Sequence, residues 1–370
     1  MNRKLTTGFY MLFILLSFSA SAQKVKFPGP AVIAYFAGNA NQLDDYDAQQ
    51  MTHIIYCFGR LNGNQFTLRN TSDSVIIQKM VLMKRKNPQL KVLVSLGGWG
   101  GCETCSDVFA TPTGRKAFAA SVKKVNQYFN ADGIDLDWEY PVVAGFPGHK
   151  YTPADKDNFT ALVQELRRSL GKKAIISFAA GGFQQFLDEA INWKKVMKRV
   201  DYVNLMSYDL VNGSSAKTGH HTALYSTPQQ PESTDKAVQY LLKKGVLPGK
   251  IIIGAAFYAR IWEQVPSVNN GLYQTGRFKT TETFKNFATT LSEQKGYTYY
   301  WDDKAQAPYL YNAAEKHFAT FDDKRSLTLK TQYVFAHKLG GIMFWQLAQD
   351  QVSDGLLDTI NETKKKNTAR

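Results

Sequence analysis

Four acidic side chains stand within one short run, Asp132-Gly133-Ile134-Asp135-Leu136-Asp137-Trp138-Glu139-Tyr140-Pro141. Side chains alternate along an extended strand, so Asp135, Asp137 and Glu139 share one face and Ile134, Leu136 and Trp138 the other. The apolar set reads as packed outward against a core. The acidic set then points into an interior where ionised carboxylates are costly to bury. A solvated acidic face does not fit those flanks. Like charges this close cannot all ionise comfortably, so the three should titrate as a coupled set. A proton shared by Asp135 and Asp137 would keep Glu139 protonated near neutral pH, as a general acid requires.

Successive members of the set lie roughly 6.6 Å apart, at about 3.3 Å rise per residue. Glycosidases of the usual kind place two carboxylates on opposite sides of the scissile bond. Here the carboxylates approach from one side, so a glycosidase built on them needs a nucleophile from elsewhere. A 2-acetamido group on the sugar can supply it, its carbonyl oxygen attacking the anomeric carbon. A divalent metal held by the acidic trio is the competing reading of these residues, and activity that survives a chelator would dispose of it.

Short apolar runs read as the strands that position these groups: Val32–Phe36, His53–Phe58, Val92–Leu96, Gly133–Trp138, Ala174–Ala179, Tyr202–Ser207, Ile251–Phe257 and Gly341–Trp345. Most are apolar on both faces, as buried parallel strands are. Amphipathic stretches lie between them, among them Val75–Lys86, Gly114–Asn130, Pro153–Leu170, Phe183–Lys198 and Thr234–Lys244. Eight such units in series predict an α/β fold, a (β/α)8 barrel. From Trp262 to about Phe321 the rhythm breaks: Thr280–Leu291 reads as helix, and Tyr297–Trp301, Pro308–Tyr311 and His317–Thr320 as short antiparallel strands. A structureless loop of that length is implausible inside a compact domain. The expectation is a barrel over 23–261 and 322–370, with a small α+β insertion at 262–321 between the seventh and eighth strands.

The acidic run resembles the DxxDxDxE signature of glycoside hydrolase family 18, the chitinase family. The likeness extends along nearly the whole chain. Ser95-Leu96-Gly97-Gly98-Trp99 resembles its SxGG motif, Met206-Ser207-Tyr208-Asp209 its MxYD motif and Phe257-Tyr258-Ala259-Arg260 its FYGR motif on the seventh strand. Gly341–Trp345 resembles its final strand, and the segment with Trp301-Asp302-Asp303 and Pro308-Tyr309 resembles the chitinase insertion domain. The resemblance implies a TIM barrel that hydrolyses β-1,4 bonds between N-acetylglucosamine units with retention. It implies that Glu139 protonates the glycosidic oxygen, Asp137 orients the acetamido group, Asp135 supports the charge state of Asp137, and Tyr208 donates to the acetamido oxygen. Met206 and Asp209 would shape the pocket and Trp345 would floor it. Tyr35, Phe58, Trp99, Tyr140, Tyr258 and Arg260 would be further cleft contacts. The implied partner is chitin or its oligosaccharides, with no cofactor and no metal. Ala259 stands where a glycine is common, and Gln346 follows Trp345; both leave subsite affinity and chain-length preference open. Two alternatives share the fold: a non-catalytic lectin, which typically loses an acidic residue retained here, and a hydrolase of N-glycans or peptidoglycan.

The N-terminus reads as a signal peptide: Arg3 and Lys4, an apolar stretch from Phe9 to Phe18, then Ala20-Ser21-Ala22. That stretch is too short to span a bilayer. The expected product is exported, to the periplasm or the medium, and monomeric. The net charge of +14 falls by two with the leader. The remaining cations are scattered over predicted helix faces, which suggests a solvated surface without a nucleic-acid or membrane partner. Cys102 and Cys105 lie in a loop where export favours a disulfide, and Cys57 reads as a buried core thiol.

Overall fold

The computed structural model describes residues 29–368, so the expected signal peptide lies outside the described residues. Eight parallel strands close on themselves: Ala31–Phe36, His53–Asn62, Lys91–Gly97, Gly133–Asp137, Ile175–Gly181, Tyr202–Met206, Ile251–Ala256 and Gly341–Trp345. We number them first to eighth. Closure comes from pairing of the first strand with both the eighth, Val32 against Ile342, and the second, Ala34 against Ile54. Outward-facing Ile134 and Leu136 join the main apolar cluster with Phe118, Phe159 and Leu162 of the surrounding helices. Burial on both faces is why these strands show little apolar alternation.

Local chemistry sets where the helices begin and end. Pro112–Phe129 starts at Thr111, whose hydroxyl accepts from the Gly114 N–H, has Pro112 in its first turn, and ends at Asn130 in the left-handed region. Thr71–Leu82 starts at Asn70, which exchanges capping bonds with Asp73. The predicted Phe183–Lys198 helix is two pieces, Gln184–Glu189 and Trp193–Val196, because Asn192 caps the second. Among the described residues no helix is long and apolar enough to cross a membrane.

Between the seventh and eighth strands the chain builds a five-stranded antiparallel sheet. Its spatial order is Arg277–Thr283, Tyr258–Glu263, His317–Thr320, Ala307–Asn312 and Thr298–Asp302. Alternation gives it two apolar faces: Ala259, Ile261, Leu310 and Ala319 on one, and Trp262, Tyr309, Tyr311 and Phe318 on the other. Two expectations need correction here. The Thr280–Leu291 segment is not one helix: Arg277–Thr283 pairs with Tyr258–Glu263 as the edge strand, and only Phe287–Thr290 is α-helical. The β-branched run Thr280-Thr281-Glu282-Thr283 favours that extended pairing. The Phe257–Arg260 motif is likewise not on the seventh barrel strand, which ends at Ala256; Tyr258 and Arg260 lie on the first strand of the inserted sheet.

Candidate active site

The acidic run sits at the C-terminal end of the fourth strand, the end where barrel enzymes build their sites. Asp135 is fully buried and takes four hydrogen bonds: from Tyr35 Oη at 3.0 Å, Ser95 Oγ at 2.9 Å, Ser177 Oγ at 2.6 Å and Asn204 Nδ2 at 3.1 Å. These donors come from the first, third, fifth and sixth strands, so one carboxylate ties the barrel interior together. Burial raises the Asp135 carboxyl, and these donors hold the rise down. Asp137 is buried above it with Oδ1 lacking a hydrogen-bond partner among the described residues. Burial pushes Asp137 well above the usual carboxylate range, and the neighbouring Glu139 and Asp135 push it further.

Glu139 follows the strand and is half-buried. Burial raises its carboxyl to about 7; a hydrogen bond with Tyr140 works against the rise and the Asp209 carboxylate adds to it. Trp138 turns outward as its parity demands, packing against Phe109 at 5.6 Å and Phe159 at 6.4 Å between ring centroids. Asp132, at the other end of the strand, accepts from the Val92 N–H at 2.7 Å and pairs with Lys84 at 2.6 Å. It pins the strand and stands apart from the site.

Asp209 has φ of 57° and a half-open carboxylate gripped from the inserted sheet. Arg260 donates from Nε and Nη2, both at 2.5 Å, and Tyr258 Oη donates at 2.7 Å. Buried His221 adds a 3.4 Å contact from Nδ1. Burial alone would raise Asp209, but the guanidinium and His221 outweigh it and hold the carboxyl well below its ordinary value. Tyr208 packs edge-on to Tyr258 at 6.3 Å and reaches Met343 Sδ at 3.8 Å. Met206, at the end of the sixth strand, lies in the barrel-interior cluster with Tyr35 and the Cys57 thiol.

Trp345 ends the eighth strand with its ring stacked on Phe58 at 5.5 Å and 14°, and tilted against Tyr35 at 6.1 Å. Tyr140 packs on Phe183 and Phe186 at 5.4 and 5.3 Å. Trp99 stands apart at the rim, 59% exposed, edge-on to Phe146. The two glycines before it are needed for close approach. A Cβ on Gly97 would lie 2.1 Å from the Asp137 carbonyl oxygen, and one on Gly98 would lie 2.4 Å from the Phe58 ring. Cys102 and Cys105 are bonded just beyond this turn, and Cys57 is a free, buried thiol.

Of the partners that hold the acidic trio and Asp209, Tyr35, Tyr258 and Arg260 are among the residues the sequence points to. Ser177, Asn204 and His221 were missed. Ser177 and Asn204 left a faint signal, a single polar residue at inward parity in an otherwise apolar strand; His221 left none.

The sequence profile of glycosyl hydrolases family 18 matches residues 31–350. The chain belongs to that family. Chitinase A1 of Niallia circulans is 36% identical over 74% of this chain, which spans 43% of that longer protein. Chitinase B of Serratia marcescens is 27% identical over 90% of this chain and 83% of its own length. Among solved structures, a family 18 N-acetylglucosaminidase from Paenibacillus barengoltzii superposes with a TM-score of 0.82 at 34% identity, over 90% of this chain and all of that one. This chain is therefore a family 18 glycoside hydrolase on a (β/α)8 barrel.

Proposed function

We propose that this family 18 hydrolase is an exported chitinase that cleaves β-1,4 bonds between N-acetylglucosamine units by substrate-assisted retention. One observation carries the mechanism: Asp137 holds an unpartnered buried oxygen beside Glu139, whose carboxyl is raised to about 7. Glu139 is the proton donor to the glycosidic oxygen. Asp137 accepts the acetamido N–H, which turns the acetamido oxygen toward the anomeric carbon and balances the charge that develops on closure to an oxazolinium. Asp135, held by its four donors, takes up the proton that Asp137 gives up as that charge appears. Asp209 is a poor alternative nucleophile, because Arg260 occupies both of its oxygens. Tyr208 donates to the acetamido oxygen, and Trp345 floors the sugar before the cleaved bond. Met206, Tyr35, Phe58, Tyr140, Tyr258 and Arg260 shape and hold that pocket, and Trp99 contacts sugar farther out.

The test is product analysis on N-acetylglucosamine oligomers of several lengths, wild type beside Glu139→Gln. Rapid release of disaccharide as the β-anomer is expected, falling by about 10²–10⁴ in the variant. Initial product of the α-anomer would overturn retention, and tight binding without cleavage would make the chain a lectin. The Paenibacillus relative favours a second reading, release of single N-acetylglucosamine units. Monosaccharide as the first product from every oligomer would establish it. Inertness toward these oligomers with cleavage of N-glycans or peptidoglycan would move the substrate.

A further inference from the structure

The cations that look scattered in the sequence are gathered by the barrel. The connections that lead from helices into the fifth, sixth and seventh strands emerge together at the end opposite the cleft. They read Gly-Lys-Lys-Ala at 171–174, Met-Lys-Arg-Val-Asp at 197–201 and Lys-Lys-Gly-Val-Leu-Pro-Gly-Lys at 243–250. Hydrogen bonds show that they adjoin: Arg167 Nε donates to the Arg199 carbonyl at 2.8 Å, and Lys250 Nζ donates to the carbonyls of Met197 at 2.7 Å and Val200 at 2.6 Å. Lys172, Lys173, Lys198, Arg199, Lys243 and Lys244 are all exposed. The single acid in the three connections, Asp201, pairs with Arg167 at 2.6 Å.

Cations at helix C-termini complement the helix dipole, which accounts for one or two of these residues. It does not account for Leu247. That side chain is 66% exposed on the turn between Gly245 and Pro248, beside Lys243 and Lys244. An exposed leucine at one end of a cationic arc gains nothing from a soluble polyanion, and the three connections contain no aromatic ring on which a nucleic-acid base could stack. Cations flanking a protruding apolar side chain fit a surface with phosphates at headgroup level and acyl chains beneath.

We propose that this arc is a peripheral docking surface for an anionic phospholipid bilayer, with Leu247 entering the acyl boundary and the cleft facing away from the lipid. This is a surface contact and needs no spanning segment. Each Lys or Arg near such a surface is worth about fivefold in affinity.

The test is co-sedimentation of the chain from Gln23 onward, so that the apolar leader cannot itself insert, with phosphatidylcholine vesicles containing or lacking phosphatidylglycerol. Retention is expected only on the anionic vesicles, and it should fall at high ionic strength. Lys243→Glu with Lys244→Glu should weaken it by on the order of 25-fold or more. Leu247→Ser should weaken vesicle binding several-fold and leave retention on heparin unchanged. Hydrolysis of soluble oligosaccharides should be unaltered in both, which also shows that they fold. Equal retention on neutral vesicles, or no loss on charge reversal, would overturn the proposal. Retention on heparin without retention on anionic vesicles would overturn it too, replacing the bilayer with a soluble polyanion.

Discussion

At the scale of single residues, the mechanism proposed above turns on one proton. In that mechanism Glu139 carries it at the start of the cycle, and burial raises its carboxyl to about 7, so activity should decline above that pH. Two neighbours act on this limb with opposite sign. Asp209 places a negative charge that disfavours ionised Glu139, and Tyr140 stabilises the ionised form through a hydrogen bond. Asp209→Asn should therefore move the basic limb of kcat/KM to lower pH, and Tyr140→Phe should move it to higher pH. A shift of one pH unit corresponds to about 1.4 kcal/mol of differential interaction, so shifts of several tenths are measurable. The same direction of shift in both variants would mean that the limb belongs to another group.

At the scale of elements, Lys324–Ala336 is tied to the barrel by a buried charge cluster. Lys330 is fully buried and donates to both oxygens of Asp322 at 2.8 and 2.7 Å and to Thr222 Oγ1 at 2.5 Å. Asp322 also accepts from the Ala256 N–H at 3.0 Å, at the end of the seventh strand. Removing one partner strands the other charge, so Lys330→Met should cost about 3–5 kcal/mol in chemical denaturation. The double variant Lys330→Met with Asp322→Leu should recover much of that loss; a double variant no better than the single would show that the pair itself stabilises the fold. No motif announced this cluster, because nothing in the eight-residue spacing of Asp322 and Lys330 signals that both charges are buried. The barrel strands were legible for the opposite reason. Burial on both faces leaves apolar runs that need no partner to be recognised, and the acidic run stands out against them. The inserted sheet was half legible. Its strands Ala307–Asn312 and His317–Thr320 carry their own aromatic pattern, whereas Arg277–Thr283 is exposed, lacks that pattern and becomes a strand only by pairing with Tyr258–Glu263. Ser177 and Asn204 stayed hidden because their partner, Asp135, is brought to them only by barrel closure.

At the scale of the whole molecule, the inserted sheet is latched to the barrel through the long connection that follows the sixth strand, the same connection that carries Asp209. Buried His220 on that connection contacts Asp302 Oδ2 at 3.0 Å, at the end of the strand Thr298–Asp302, while the backbone N–H groups of Lys304 and Ala305 donate to Oδ1 at 2.9 and 3.1 Å. Burial alone would raise Asp302, but His220 and the backbone donors outweigh it and hold the carboxyl at about 2. A carboxyl lowered on folding adds stability above its unfolded value of about 4, and that stability is lost as pH falls toward about 2. Asp302→Asn should thus destabilise the chain at neutral pH by about 1.5 kcal/mol, the low end for a hydrogen bond to a charged group, since the side chain retains some exposure. The deficit should shrink as pH falls from about 4 toward about 2. The neighbouring His221 N–H donates to Thr320 Oγ1 at 3.1 Å, and Arg260 reaches Asp209 from the same sheet. A loosened latch therefore loosens the pocket wall without touching Glu139. KM for long oligomers should rise in Asp302→Asn while kcat on short ones holds. A stability deficit independent of pH, or a fall in kcat with KM unchanged, would show that the latch does not position the wall and that Asp302 only caps its own turn.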